Sequence, residues 1–90
     1  MAVALLFEGT GVTQAQYEQV LNQVAPGNQM APGMLYHVAG PTDGGFRVVE
    51  VWESQEAVDR FFGETLGRAL QEAGINVQPQ VWQVHNTMQP

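Results

Sequence analysis

His37 stands in the middle of the apolar run Met34-Leu-Tyr-His-Val-Ala39, and Glu50 in Phe46-Arg-Val-Val-Glu-Val-Trp52. An imidazole beside a carboxylate makes a general-base pair. The carboxylate orients the ring through one nitrogen, and the other nitrogen is left to take a proton. Polar groups in otherwise apolar segments are expensive to bury unless they satisfy each other. The pair therefore reads as His37, the acid/base, with Glu50 as its orienter; the competing reading is a histidine merely satisfied within the core. Trp52, Tyr17, Phe61 and Phe62 are the aromatic residues that would wall a pocket for a small aromatic ligand, with ordinary core packing as the alternative for the two phenylalanines.

Other chemistries lack their residues. With no cysteine, disulfides, thiolate nucleophiles and cysteine-ligated clusters are excluded. The only bases besides histidine are Arg47, Arg60 and Arg68, so no lysine exists to form a Schiff base. The one serine, Ser54, sits where a helix N-cap belongs. His37, His85 and Glu50 have the composition of a two-histidine, one-carboxylate metal site but no local ligand spacing, so no metal is expected. Nine acidic residues against three arginines, a net charge of −6, argue against nucleic acid and against anionic membrane surfaces. No apolar run approaches the ~20 residues that span a bilayer, and Met1-Ala-Val-Ala-Leu-Leu-Phe7 lacks the basic start of a secretory signal. Cytoplasmic residence is the expectation.

The elements that must position these residues are legible in the pattern. At 90 residues, 44% of them hydrophobic, the chain is expected to form one domain, residues 1–90. Residues 2–8 suit a buried strand. Thr13 and Gln16 form a capping box, followed by Tyr17, Val20, Leu21 and Val24 at helical spacing, with Pro26-Gly27 as the stop. Residues 34–39 and 46–52 read as a hairpin around Gly40-Pro-Thr-Asp-Gly-Gly45. Ser54 opens a second helix carrying Ala57, Val58, Phe61 and Phe62 on its apolar face. Gly63 and Gly67 predict a break or kink before Leu66, Ala69 and Leu70 resume that face, and Gly74 ends it. Residues 77–85 read as a last strand.

This β-α-β-β-α-β order is that of the ferredoxin-like α+β fold, a four-stranded antiparallel sheet with both helices on one face. Pairing Ala39 with Phe46 puts Leu35, His37, Ala39, Phe46, Val48, Glu50 and Trp52 on one side. Glu50 is then a diagonal neighbour of His37, ~7–8 Å away by backbone. Met34, Tyr36, Val38, Arg47, Val49 and Val51 fall on the other side. Both faces are largely apolar and two helices cover one, so a homodimer formed sheet on sheet is expected, with Arg47 reaching the partner.

The stretch from Gly33 to Phe62, and above all Val51-Trp-Glu-Ser-Gln-Glu-Ala57 before an aromatic helix, resembles small bacterial dimeric α+β barrel proteins related to the antibiotic biosynthesis monooxygenases. The element order extends this resemblance over almost the whole chain. It implies two sheets meeting as a barrel and a ligand cavity between each sheet and its helices. It also implies activities that range from cofactor-free oxygenases to isomerases and haem-degrading enzymes. Neither the complete Asn-Trp-His haem-degrading pattern nor a full oxygenase set is matched, so catalytic roles do not carry over. No cofactor is expected; haem would require His37 or His85 as axial ligand. Residues and resemblance together point to an enzyme acting on an aromatic or polyketide-like molecule by acid/base chemistry, monooxygenase-like or isomerase/cyclase-like. The alternative is a non-catalytic small-ligand-binding or stress-associated dimer.

Overall fold

The computed structural model describes residues 1–90. Its elements are β1 (Val3–Thr10), α1 (Gln14–Val24), β2 (Met34–Thr42), β3 (Gly45–Trp52), α2 (Gln55–Phe61), α3 (Gly67–Glu72) and β4 (Gln80–Gln83), with a short 3-10 turn at Pro26–Asn28 and a π-turn at Phe62–Leu66. The strands form one antiparallel sheet in the order β2-β3-β1-β4. The ferredoxin-like arrangement read from the sequence is the one observed.

Local chemistry starts each helix. The Thr13 hydroxyl accepts from the Gln16 amide at 3.1 Å, and the Gln16 side chain accepts from the Thr13 amide at 3.0 Å. Ser54 Oγ accepts from the Ala57 amide at 3.1 Å, its cap role. Both helices then lay their apolar stripes on the same side of the sheet. Val20 of α1, Ala57 and Val58 of α2, Leu66 of the π-turn and Ala69 of α3 close over Val3, Leu5 and Phe7 of β1 and Trp52 of β3.

The hairpin departs from expectation in register. Ala39 faces Val48, and Phe46 faces Pro41, a shift of two residues. β2 runs on through Gly40-Pro41-Thr42, leaving Asp43-Gly44 as a two-residue tip where Gly44 takes φ +79°. Pro41 is accommodated because β2 is an edge strand, where a missing amide breaks no ladder. A shift of two preserves side-chain parity, so the face assignments survive from Tyr36 onward. They fail at the start of β2. A bulge between Met34 and Tyr36 makes Leu35 the extra residue, which turns Met34 onto the core and leaves Leu35 57% exposed.

Two further expectations are refined. The break or kink expected at Gly63 and Gly67 takes the form of a π-turn at Phe62–Leu66, by which the helix takes up one residue and runs on from Gln55 to Glu72. Consecutive Phe61 and Phe62 thereby both reach the sheet side, Phe62 stacked on Phe7 at 5.9 Å and Phe61 tilted against Trp52 at 5.1 Å between ring centroids. The last strand is four residues, Gln80–Gln83, not 77–85, because Val77 packs on the helix-side core before the ladder begins.

The opposite face of the sheet has no helix. Tyr36, Val38 and Trp82 are 58%, 48% and 48% exposed on it, beside half-buried Leu6, Val49 and Val51. Arg47, expected to reach a partner chain, bonds Glu8 of its own chain at 2.7 Å across the β1–β3 ladder.

Gly33 takes φ +89°, and a Cβ there would stand 2.7 Å from that of Ala57, so β2 enters the sheet against the start of α2 only because the residue is glycine. Gly33→Ala should lower the unfolding free energy by ~1–2 kcal/mol or more. Gly63→Ala, where a Cβ meets open space, should raise it by ~0.5–1 kcal/mol. Urea denaturation measures both, and a neutral Gly33→Ala would mean that this contact does not constrain the chain.

Candidate functional site

His37 and Glu50 are direct cross-strand partners on the helix-side face, not diagonal ones. His37 Nδ1 lies 2.8 Å from Glu50 Oε2. The other carboxylate oxygen accepts from Trp52 Nε1–H at 2.9 Å. The Glu50 side chain is 6% exposed, so two donors replace the water that burial removed. Trp52 lies two residues along the same strand, on the same face by strand parity, and is fully buried.

α1 brings the next member. The Tyr17 hydroxyl lies 2.8 Å from His37 Nε2, and its ring stacks on Phe46 at 4.8 Å between centroids. A line of hydrogen bonds therefore runs Tyr17–His37–Glu50–Trp52 through a helix and two strands. No buried side-chain nitrogen or oxygen in the chain lacks a partner. Burial first, and then the charges of Glu18 and Glu50, push the Tyr17 phenol above its ordinary value of 10.0. It is a neutral hydroxyl at physiological pH, able to donate or accept.

Tyr17, His37 and Glu50 form the polar end of a cavity of about 100 Å³ between the sheet and the helices. Phe46 and Val48 of β3, Val20 of α1, Phe61, Leu66 and Ile75 supply apolar walls. The volume is below the ~150 Å³ of an engineered apolar cavity that admits benzene and well below the ~300–1,000 Å³ of drug-sized sites. That is room for no more than one small ring.

The residues singled out in the sequence are thus distributed differently from one another. Tyr17, His37, Glu50 and Phe61 line the cavity, whereas Trp52 stands behind Glu50 as its donor and Phe62 packs on Phe7 outside the lining. The Glu50–Trp52 bond had a sequence signal, the i, i+2 spacing on a strand. The Tyr17–His37 bond had none, because it depends on how α1 crosses the sheet. Ser54 is used as a helix cap, and His85 does not join His37 and Glu50: nowhere do three histidine, cysteine or acidic side chains converge as metal ligands.

No family model and no curated protein matches the sequence. Solved structures do match in fold. An antibiotic biosynthesis monooxygenase-like protein from Chloroflexus aurantiacus J-10-fl superposes with a TM-score of 0.71 at 14% identity, over 99% of this chain and 98% of that one. One from Deinococcus radiodurans gives 0.65 at 14% identity, over 100% and 98%. SnoaB, a cofactor-independent oxygenase from Streptomyces nogalater, gives 0.60 at 18% identity, over 97% and 94%. The chain has the fold of these proteins along its whole length. No helix is long and apolar enough to cross a membrane.

The charge of Glu50 is one of the causes that raise Tyr17, so Glu50→Gln should bring the Tyr17 ionisation back toward 10.0, read by ultraviolet titration of the phenolate. An acid held above its unfolded value favours the fold in its protonated form. The Tyr17 contribution to stability is therefore complete below pH 10 and is lost as the pH rises through the folded value. Trp52→Phe keeps the ring but removes the Nε1–H donor to a buried carboxylate, and should cost ~1–3 kcal/mol in urea denaturation.

Proposed function

We propose that this chain is a small-molecule enzyme of the acid/base type, acting without a tightly held metal or cofactor on an aromatic or polyketide-like compound, one ring of which occupies the cavity between sheet and helices. The observation that carries the reading is the hydrogen-bonded line Tyr17–His37–Glu50 ending at the polar pole of an otherwise apolar cavity. Such a line moves a proton without leaving any member unsatisfied. With Glu50 as carboxylate, Nδ1 of His37 donates to it, and Nε2 accepts from Tyr17 when the ring is neutral or donates to Tyr17 when it is imidazolium. The hydroxyl accommodates both states by rotating. Deprotonation of a bound aromatic makes it electron-rich. The likeness in fold to SnoaB, a cofactor-independent oxygenase, favours a monooxygenase-like outcome. An isomerase or cyclase would use the same proton transfer.

One observation favours a second reading, a ligand-binding protein without catalysis. Nε2 of His37, the nitrogen that would act as base, is already engaged by Tyr17, so no free base faces the cavity in the resting state.

We propose further that the chain works as a homodimer in which a second copy covers the open sheet face. Tyr36 and Val38 at one edge and Trp82 at the other are exposed there, with half-buried Leu6, Val49 and Val51 on the strands between, and burying such apolar surface is worth roughly 25 cal/mol per Å².

Hydroxylated aromatics screened under air, with binding, oxygen uptake and product followed together, should reveal a turned-over compound. His37→Gln should slow that turnover by ~10²-fold or more with the circular-dichroism spectrum unchanged. Saturable binding with no turnover of any compound establishes the second reading. Light scattering should return about twice the chain mass of 9.8 kDa. Val49→Glu should yield monomer or insoluble protein, and a native chain that scatters as a monomer refutes the dimer.

A further inference from the structure

The line of hydrogen bonds has a direction, and its direction selects the ligand. Trp52 Nε1–H can only donate and a carboxylate can only accept, so Glu50 ends the line as acceptor. His37 must then give its Nδ1 proton to Glu50. With the ring neutral, Nε2 is an acceptor, and Tyr17 spends its only proton on it. Every donor along the line points toward Glu50. Tyr17 lines the cavity, and with its proton on His37 its oxygen has lone pairs to offer and no hydrogen left to give. A ligand group that only accepts, such as an ether or ketone oxygen, would there meet lone pair against lone pair.

Charge narrows the choice further. No cation lines the cavity. Arg47 is bonded to Glu8 on the far face of the sheet, Arg60 to Glu56 on the exposed side of α2, and Arg68 is exposed. With His37 neutral, an anionic ligand would be placed beside the Glu50 carboxylate in an apolar cavity without a counter-ion, and only a proton taken up with it could supply one. The cavity's roughly 100 Å³ sets the size.

We infer that the ligand of this site is an uncharged, ring-sized molecule bearing a hydroxyl, which binds by donating its hydrogen bond to the Tyr17 oxygen. This rests on the proposed small-molecule role of the cavity and names its ligand class. It also orders the proton transfer. The ligand hydroxyl proton passes to the Tyr17 oxygen as the Tyr17 proton passes to His37 Nε2. The O–H bond of the ligand and the original O–H bond of Tyr17 break, a new O–H bond forms on Tyr17, and a new N–H bond forms on His37. The products are a ligand oxyanion accepting a hydrogen bond from Tyr17 and an imidazolium facing Glu50. The positive charge of the imidazolium arises where the carboxylate already stands, and the negative charge develops at the one place in the cavity that then presents an O–H.

Phenol, toluene and benzoate are the probes, titrated into isotope-labelled chain and followed by amide chemical shifts. Toluene has the shape of phenol without the hydroxyl, and benzoate carries the charge. Tyr17→Phe, which keeps the ring stacked on Phe46, should weaken phenol about tenfold and leave toluene within about twofold. Benzoate should bind wild type at least about tenfold more weakly than phenol. A second comparison needs no variant: anisole, whose oxygen only accepts, should bind about as ethylbenzene does, its match in shape. Phenol affinity unchanged in Tyr17→Phe, anisole gaining as much from its oxygen as phenol does, or benzoate matching phenol overturns the inference while the cavity keeps its proposed role. Failure of phenol and toluene alike to bind overturns the small-molecule reading and the inference with it.

Discussion

The rest of the structure is arranged around a carboxylate held out of water. Glu50 lies on the covered face of a central strand, between β2 and β1, where an ion without partners would destabilise the fold by several kcal/mol. It is tolerated because each oxygen has its own donor, and each donor comes from a different structural commitment. Trp52 Nε1 depends on the strand's alternation. His37 Nδ1 depends on the β2–β3 register. Tyr17, which fixes the ring of His37 from the far side, depends on where α1 crosses the sheet. A one-residue slip of β2 would put His37 on the open face and leave the carboxylate bonded to the indole alone.

That register is held at both ends of β2. At one end, Asp43-Gly44 closes a two-residue tip, and at the other the bulge at Leu35 absorbs a residue. The bulge also turns Met34 inward over Trp52, its partner in the ladder, so the indole that donates to Glu50 is covered by the irregularity that positions His37. The π-turn acts similarly on the other side of the cavity. By taking up one residue it turns Phe61 toward Trp52 and the cavity and Phe62 toward Phe7, where an unbroken α-helix would point one of the two away from the sheet.

The two faces of the sheet divide the chemistry. On the covered face the polar groups are few, buried and mutually satisfied, so the cavity beside them is apolar with one polar pole. On the open face the ion pair is exposed, Glu8 with Arg47, worth well under the buried network, and Tyr36, Val38 and Trp82 stand exposed on the same face. The only strand cation thus lies on the side away from the cavity. That separation leaves the cavity without an arginine to balance the Glu50 carboxylate.

Much of this was determined by the sequence alone. The capping signals at Thr13 and Ser54, the helical stripe from Tyr17 to Val24 and the alternation in residues 46–52 are short-range properties, decided within a turn or a strand, and they specify the order of elements. The pairing of Glu50 with His37 on one face was also legible, since strand parity survives an even shift in register. Tertiary structure alone decided the rest. The two-residue shift, the bulge at Leu35 and the π-turn after Phe61 come from fitting the chain ends and the helix to a closed core, which no local window contains. The meeting of Tyr17 with His37, twenty positions apart on a helix and a strand, follows from packing angle. So does the placing of Trp52 behind the carboxylate instead of in the cavity wall: its partner was readable from spacing, but its burial depended on Met34, Phe61 and α2 closing over it.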